Sequence, residues 1–301
     1  MTSEPGGGKK RGYALYIGCT VAQKCLNYEV SARKVAEALG IELVTISDFG
    51  CCGFPAALDH DLNMAMAARN IALAEEKGLD MVTLCSACTA NISKVNNLIK
   101  SSREERARVN GMLASIGHEV KGTIEIKHIT RVLFEDVGID CIKQKVTRSL
   151  KGIKIAAHYG CHYMKPSEVF GGFDGPILPR SLDALIEATG AISVPYEDKY
   201  QCCGGGVLAV DESVPIKMVG NKLDHVRTAG ADAMVLMCPF CDTMYDEYQR
   251  TVEERLGKEF GIPVLYLTQL LGLALGLDPK KDLLINKNAV KAKALLAKLG
   301  L

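Results

Sequence analysis

Two short stretches, Gly50-Cys51-Cys52-Gly53-Phe54-Pro55 and Gln201-Cys202-Cys203-Gly204-Gly205-Gly206, decide how this 301-residue chain is organised. Each adjacent cysteine pair lies between a lone upstream cysteine and a downstream Cys-x-x-Cys. The first thiol set is Cys19, Cys51, Cys52, Cys85 and Cys88, and the second thiol set is Cys161, Cys202, Cys203, Cys238 and Cys241. The same order and nearly the same spacing in both sets predict two copies of one metal-binding unit.

Each copy alternates short apolar runs with segments of helical period. Residues 13–17 and 151–157 are predicted strands before the lone cysteines, and residues 62–77 and 214–227 are predicted helices that close at a glycine. This alternation predicts an α/β fold of two tandem Rossmann-like parallel-sheet domains related by internal duplication. Ligands of such sheets bind beyond the carboxyl ends of the strands, where the repeated cysteines fall.

The predicted division of the chain follows the repeat. It comprises a flexible N-terminal tail (1–11), a first cysteine-rich domain (12–149), a second cysteine-rich domain (150–287) and a C-terminal helix (288–301). The uncharged segment 260–277 is interrupted by Pro263 and glycines, so it is predicted to form a buried strand and helix rather than a membrane span.

Composition excludes several function classes. Lys plus Arg (36) balance Asp plus Glu (35), which leaves no field to attract nucleic acid or an anionic membrane. Twelve cysteines without an export signal predict a cytoplasmic protein whose thiols serve metals or redox chemistry.

The thiol pattern leaves several metal sites open. Structural zinc takes four tetrahedral ligands and an ordinary cubane cluster takes four cysteines, whereas each half offers five. An adjacent Cys-Cys pair is strained as a disulfide but can ligate two irons of one cluster. The residues therefore favour an unusual iron–sulfur cluster, or a cubane with one spare thiol, over zinc or stored disulfides.

The duplicated pattern, from Cys19 through Cys51-Cys52-Gly53 to Cys85-x-x-Cys88 and again from Cys161 through Cys202-Cys203-Gly204 to Cys238-x-x-Cys241, resembles the cysteine-rich "CCG" domain family. Within that family the chain is most similar to the B-type subunits of the soluble heterodisulfide reductases of methanogens. The resemblance covers almost the whole chain.

The resemblance implies two noncubane [4Fe–4S] clusters, each held by the five cysteines of one set. It also implies cleavage of the coenzyme M–coenzyme B disulfide between them, each cluster taking one sulfur and one electron. The implied partners are a ferredoxin-like [4Fe–4S] subunit (the C-type subunit of such enzymes) and, through it, the flavin-containing A-type subunit and a hydrogenase or formate dehydrogenase. The alternative is an electron-relay subunit of another reductase or dehydrogenase, of the thiol–fumarate, lactate/glycolate or succinate type.

The sequence also predicts roles for glycines, histidines and lysines near the cysteines. Gly53 and Gly204 are expected to let the backbone approach a cluster without a Cβ clash. His158 and His162 flank Cys161, and either one is a candidate to protonate a released thiolate, to donate a hydrogen bond to sulfide or simply to pack; His162 is the predicted catalytic residue. Three lysines near the motifs, Lys24, Lys165 and Lys199, are expected to be solvated surface side chains. Cys25 and Cys141, which lie outside the repeat, are expected to be plain thiols. The glycine run Gly204–Gly206 is not expected to bind a nucleotide.

Overall fold

A computed structural model describes residues 11–301 and contains two four-stranded parallel sheets, one in each half of the chain. The predicted tail, residues 1–11, lies outside the described residues except for Arg11, which begins the first strand. The strands of the first sheet are β1 (Arg11–Tyr16), β2 (Ile41–Thr45), β3 (Asp80–Thr83) and β4 (Ile126–His128). Those of the second are β5 (Lys154–Ala157), β6 (Ile192–Ser193), β7 (Ala233–Leu236) and β8 (Val264–Tyr266).

Both sheets have the same strand order, which confirms the predicted duplication and the α/β class. The order is β2-β1-β3-β4 in the first sheet and β6-β5-β7-β8 in the second. The central pairs start in register at Tyr13 opposite Asp80 and at Ile155 opposite Ala233. Because every pair is parallel, the carboxyl ends of the strands meet at one edge of each sheet.

Helices cover the sheets, as parallel strands require. In the first half they are α1 (Gly18–Lys24), α2 (Leu26–Leu39), α3 (His60–Glu76), α4 (Ser86–Ser101), α5 (Arg103–Leu113), α6 (Ile129–Arg131) and α7 (Ile139–Lys145). In the second half they are α8 (Cys161–Met164), α9 (Ser181–Ala188), α10 (Ser213–Thr228), α11 (Pro239–Asp242), α12 (Gln249–Leu256), α13 (Leu267–Ala274) and α14 (Lys293–Lys298). π-helical turns continue α6 over Val132–Val137 and α11 over Thr243–Glu247.

One hydrophobic core cluster includes residues of both halves, and a second cluster lies within the first half. Helix α2 lies against α13, where the rings of Tyr28 and Tyr266 stack with their centroids 3.9 Å apart. The hydroxyls of Ser31 and Thr268 are 2.7 Å apart in the same contact. Helix α9, the counterpart of α2, packs in turn against α6 and α7 of the first half. The contact is therefore reciprocal, and the division at 149/150 remains a prediction about sequence units.

The C-terminal segment differs from its predicted helix. Helix α14 covers only Lys293–Lys298, because the preceding residues are held in another conformation by buried side chains. Asn288 donates from Nδ2 to the Val264 carbonyl at 2.6 Å, and the Asp246 carboxylate accepts from the backbone N–H groups of Ala289 and Val290. The segment 260–277 forms β8 and α13 as predicted. Within residues 11–301, no helix has the length and apolar character needed to cross a bilayer.

Candidate metal centre

The structure brings all ten predicted cysteines to the carboxyl edges of the two sheets. Each lone cysteine follows the first strand of its sheet, each adjacent pair follows the second, and each Cys-x-x-Cys follows the third. Helix α4 begins inside the first Cys-x-x-Cys, with Cys85 as its N-cap residue, and Cys238 takes the same position before α11. All twelve cysteines of the chain are free thiols.

The ten side chains form one continuous line of neighbouring thiols across both halves, each close enough to the next to shift a pKa. In the first set the line runs Cys19, Cys51, Cys52, Cys88, Cys85, and in the second it runs Cys238, Cys241, Cys203, Cys202, Cys161. Cys85 and Cys238 are neighbours that shift each other's pKa, and they join the two sets. At the outer end, the Cys161 and Cys202 sulfurs are 3.9 Å apart. Outward from the junction the repeat positions appear in the same order, which gives the site an approximate two-fold symmetry.

The donor set fits a polynuclear cluster better than a single ion. Backbone N–H groups of Phe54, Gly204 and Gly205 donate to cysteine sulfurs at 3.3–3.5 Å. The buried Ser86 hydroxyl, next to Cys85, has no hydrogen-bond partner among residues 11–301. Five soft thiol donors per set, supported by N–H groups and a spare hydroxyl, match the needs of a sulfide-bridged iron cluster.

The thiol pKa values are lowered at some positions along the line and raised at others, because neighbours share protons. A hydrogen bond from Cys88 lowers the pKa of Cys52 to about 7, and one from Cys161 lowers the pKa of Cys202. Donation to Cys202 raises the pKa of Cys203 to about 12. Across the junction, the contact with Cys238 raises the pKa of Cys85. Metals bind thiolates, so loading the site must release the protons that these raised values retain.

The two motif glycines are required by their turns and by the following helix. Gly53 has φ +90° and Gly204 has φ +78°. A Cβ at Gly53 would stand 2.8 Å from the Asn63 carbonyl oxygen, and one at Gly204 would stand 2.8 Å from Pro215 Cβ. The approach of Gly53 and Gly204 to a cluster remains a prediction, and two other glycines lie close to the cysteines. At Gly18 and Gly160, a Cβ would lie 3.1 Å from Cys88 Sγ and 3.4 Å from Cys238 Cβ.

Neutral donors hold the loop of the first cysteine pair. Four consecutive carbonyls of this loop each accept a hydrogen bond from a side chain: Gly50 from Tyr16, Cys51 from Asn70, Cys52 from Asn91 and Gly53 from Asn63, at 2.7–3.0 Å. Tyr16 and Asn70 are buried. Neutral phenol and amide groups therefore fix the backbone of this loop.

A cation holds the equivalent loop of the second pair. Lys222, only 1% exposed, donates from Nζ to the Gln201 carbonyl at 2.7 Å and lies 3.3 Å from His158 Nδ1. Because an ammonium only donates, His158 Nδ1 accepts and its Nε2 bears the proton. That nitrogen is 3.3 Å from Cys241 Sγ and donates to it. Burial and the nearby Lys222 charge hold the pKa of His158 well below its usual range, so the ring is neutral.

His162 lies beside the second thiol set, as predicted. Its Nδ1 is 3.4 Å from Cys161 Sγ, and its ring packs edge-on against Phe54 of the first half with centroids 5.1 Å apart. Together with Phe240 and all five cysteines of the second set, these side chains line a cavity of about 100 Å³. His162 therefore occupies the place where a proton donor to that cavity would stand, and its catalytic role remains a prediction.

The other predicted residues have mixed outcomes. Lys24 and Lys165 are exposed, as expected. The expectation of a solvated Lys199 is wrong, because its ammonium is buried 2.5 Å from Asp183 Oδ1. Cys25 is buried against α13, where desolvation raises the pKa of its thiol to about 12, and it lies outside the line of contacts. Cys141 is half-buried in α7 and also outside the line.

Sequence reasoning missed Lys222 and Asn70. They occupy corresponding places in the repeat, on α10 and α3, and the patterning of α10 contains a signal. Lys222 lies three residues after Val219 and one before Leu223, on the face that Val226 continues, so helical period predicts it to point inward. A lysine on a buried helical face is uncommon without a partner.

Comparison with known proteins agrees with this arrangement. The family model described as "Cysteine-rich domain" (CCG) matches residues 13–93 and 155–246. The chain is 38% identical over 293 residues to the B-type subunit of the ferredoxin:CoB–CoM heterodisulfide reductase of Methanosarcina mazei, covering 95% of this chain and 96% of that one. It is 32% identical over 285 residues to the 8-methylmenaquinol:fumarate reductase membrane anchor subunit of Wolinella succinogenes, covering 94% and 98%.

A solved structure has the same fold. A hypothetical protein from Helicobacter pylori superposes with a TM-score of 0.75 at 15% identity, over 94% of this chain. This chain spans about half, 53%, of that protein.

Proposed function

Because the chain belongs to the CCG cysteine-rich domain family, we propose that it is an iron–sulfur redox subunit that reductively cleaves the coenzyme M–coenzyme B disulfide within a heterodisulfide reductase. The proposed cofactors are two noncubane [4Fe–4S] clusters, one for each thiol set. The observation that supports this most strongly is the single line of ten thiols joined at Cys85 and Cys238. Two separate electron-relay sites would not need to meet in this way.

The proposed chemistry balances at a paired site. Reduction of a disulfide takes two electrons and two protons and yields two thiols. Bound iron–sulfur clusters supply such electrons one at a time. The chain's own residues hold each cluster through five thiols, and the junction keeps the two sites adjacent.

Aromatic side chains shield the cavity above the second set. Phe54 from the first half and Phe240 from the second lie over the cysteines, and both line the cavity with His162. Shielding from water protects a reactive sulfur intermediate from side reactions. We assign His162 the donation of a proton to a thiolate released there, since its ring is already next to Cys161.

The proposed setting is a cytoplasmic multi-subunit complex. The Methanosarcina mazei relative is named as one lettered subunit of a ferredoxin-dependent enzyme. By analogy, electrons reach this chain from a ferredoxin-like [4Fe–4S] subunit, supplied in turn by a flavin-containing subunit and a hydrogenase or formate dehydrogenase.

The test combines metal analysis with turnover. Anaerobically purified chain should contain about eight iron and eight sulfide, should reduce the disulfide with reduced viologen as donor, and should give a thiol-dependent paramagnetic signal when oxidised with one thiol substrate. Cys85→Ser and Cys238→Ser should each lower iron content and turnover, while Cys141→Ser, outside the line, should leave both unchanged. About four iron per chain, or zinc in place of iron, would rule out a paired-cluster site.

A second candidate is an electron-relay subunit of another reductase. The 32% identity to a subunit of a fumarate reductase favours it. Chain that contains two clusters and accepts electrons from a donor, but leaves the heterodisulfide intact, would support this function instead.

A further inference from the structure

The two thiol sets differ most in the buried polar side chains that lie next to their cysteines. Lys222 on α10 and Asn70 on α3 occupy corresponding repeat positions, and each bonds to the loop of its own cysteine pair. His158 and Tyr16 also correspond, each two residues before the glycine that precedes the lone cysteine. The first set thus has a phenol and an amide behind it, and the second has an imidazole and an ammonium.

Lys222 lacks the partner that a buried cation normally has. The other buried lysine, Lys199, pairs with Asp183. Within the described part of the chain, the polar contacts of Lys222 Nζ are the Gln201 carbonyl and His158, and its ammonium faces the Tyr245 ring at 5.9 Å. An unpaired buried charge is costly, so an anion is expected nearby. Burial lowers the pKa of Lys222 to about 8, and the anionic groups that oppose this shift are the Cys241 and Cys203 sulfurs when ionised, followed by the Asp198 carboxylate.

His158 links this charge to the sulfur ligands. It accepts from Lys222 at Nδ1 and donates from Nε2 to Cys241 Sγ. A hydrogen bond to a cluster thiolate and a nearby positive charge both favour the reduced, more negative state of a cluster. At the first set, the Tyr16 hydroxyl donates to the Gly50 carbonyl instead of to a sulfur.

We propose that Lys222, acting directly and through His158, is a positioning residue that makes the second cluster site the stronger electron acceptor of the two. The inference rests on the proposed function only in requiring a cluster at each thiol set. The equilibrium constant for one-electron reduction of the second site is expected to be at least tenfold larger than that of the first. This corresponds to a difference in midpoint potential of at least 59 mV.

The test is a redox titration of the as-purified protein followed by EPR, with iron content measured on each sample. Wild type should show two midpoint potentials at least 59 mV apart. Lys222→Met should move only the higher potential, downward by at least the same amount, and Lys222→Arg should largely restore it. Lys217→Met removes an exposed lysine from the same helix and should leave both potentials unchanged.

Each outcome decides for or against the inference. A Lys222→Met variant that retains both clusters and both potentials would overturn it, as would equal shifts at the two sites. If Lys222→Met loses about four iron, the wild-type titration decides, and two potentials closer than 59 mV would refute the proposal. Failure of the proposed function is separate, because a protein with two clusters and no disulfide reductase activity still yields both potentials.

Discussion

Replacing Gly53 by alanine tests whether the cysteine-pair turn needs glycine for its backbone and its packing. At φ +90°, a residue with a Cβ costs about 1–2 kcal/mol. The added methyl would lie 2.8 Å from the backbone oxygen of Asn63, which cannot rotate away, and overpacking of this kind costs about 1–3 kcal/mol. Lower entropy of the unfolded chain returns about 0.4–1 kcal/mol. The net loss is about 1–5 kcal/mol.

Gly78→Ala is the matched control. Gly78 lies just beyond the C-terminal end of α3, the helix that contains Asn63. Gly78 has φ +62°, but a Cβ there meets nothing within 4 Å, so the control retains the backbone cost without the clash. Gly53→Ala should therefore be less stable than Gly78→Ala by about 1–3 kcal/mol.

Thermal unfolding of anaerobically purified variants, with iron per chain measured on the same samples, checks both numbers. Because Asn63 also donates to the Gly53 carbonyl at 2.7 Å, moving Asn63 disturbs the loop, and we expect Gly53→Ala alone to lose iron. Equal unfolding midpoints and full iron content in both variants would refute the packing argument.

Three further predictions concern the second half and the junction. Lys199→Met should lower the free energy of unfolding by about 3–5 kcal/mol, because it leaves the Asp183 carboxylate buried without its cation. Urea unfolding measures this loss. A changed KM at unchanged stability would instead indicate that Lys199 binds substrate. His128 is buried, and desolvation lowers its pKa from 6.5 to about 4, so its stabilising contribution is complete above pH 6.5 and is lost as the pH falls toward 4. That contribution is about 3 kcal/mol. The unfolding midpoint of His128→Gln should therefore fall less between pH 7 and pH 4.5 than that of wild type. Equal falls in the two midpoints would contradict the prediction. His162→Ala should lower kcat for disulfide reduction by about 10²-fold or more at unchanged iron content, and an unchanged kcat would remove His162 from the mechanism.

Much of the fold could be predicted because its signals are local. Helix α5 begins after Ser102, whose side chain accepts from the Glu105 N–H, and α2 ends at Gly40 in the left-handed conformation; both are local capping signals. Helix α4 was missed because it begins within the Cys-x-x-Cys and contains many small polar residues. Its helical state depends on packing against α3 and α8, which is tertiary information.

The candidate site could be predicted in its membership but not in its arrangement. Repeat order identified ten cysteines, yet nothing local places Cys85 against Cys238, since that contact arises from the reciprocal packing of α2 on α13 and of α9 on α6 and α7. Lys199 was misjudged for the same reason. A lysine next to a polar loop is usually solvated, and only the fold brings Asp183 to it.

The approximate symmetry of the site makes its departures informative. A duplicated unit with equivalent halves would present the same groups behind both thiol sets, and at the cysteines, the paired glycines and the helix N-caps it does. It departs from equivalence at Asn70 and Lys222, which sit one helix layer behind the sulfurs and do not alter the ligand set. Cleavage of the proposed substrate, an asymmetric disulfide, would give two different thiols, and two identical sites would have no means of preferring one sulfur to the other. The buried Lys222 charge, with His158 where the first set has Tyr16, distinguishes the two sites, because it acts on the energy of the reduced state without being a ligand itself.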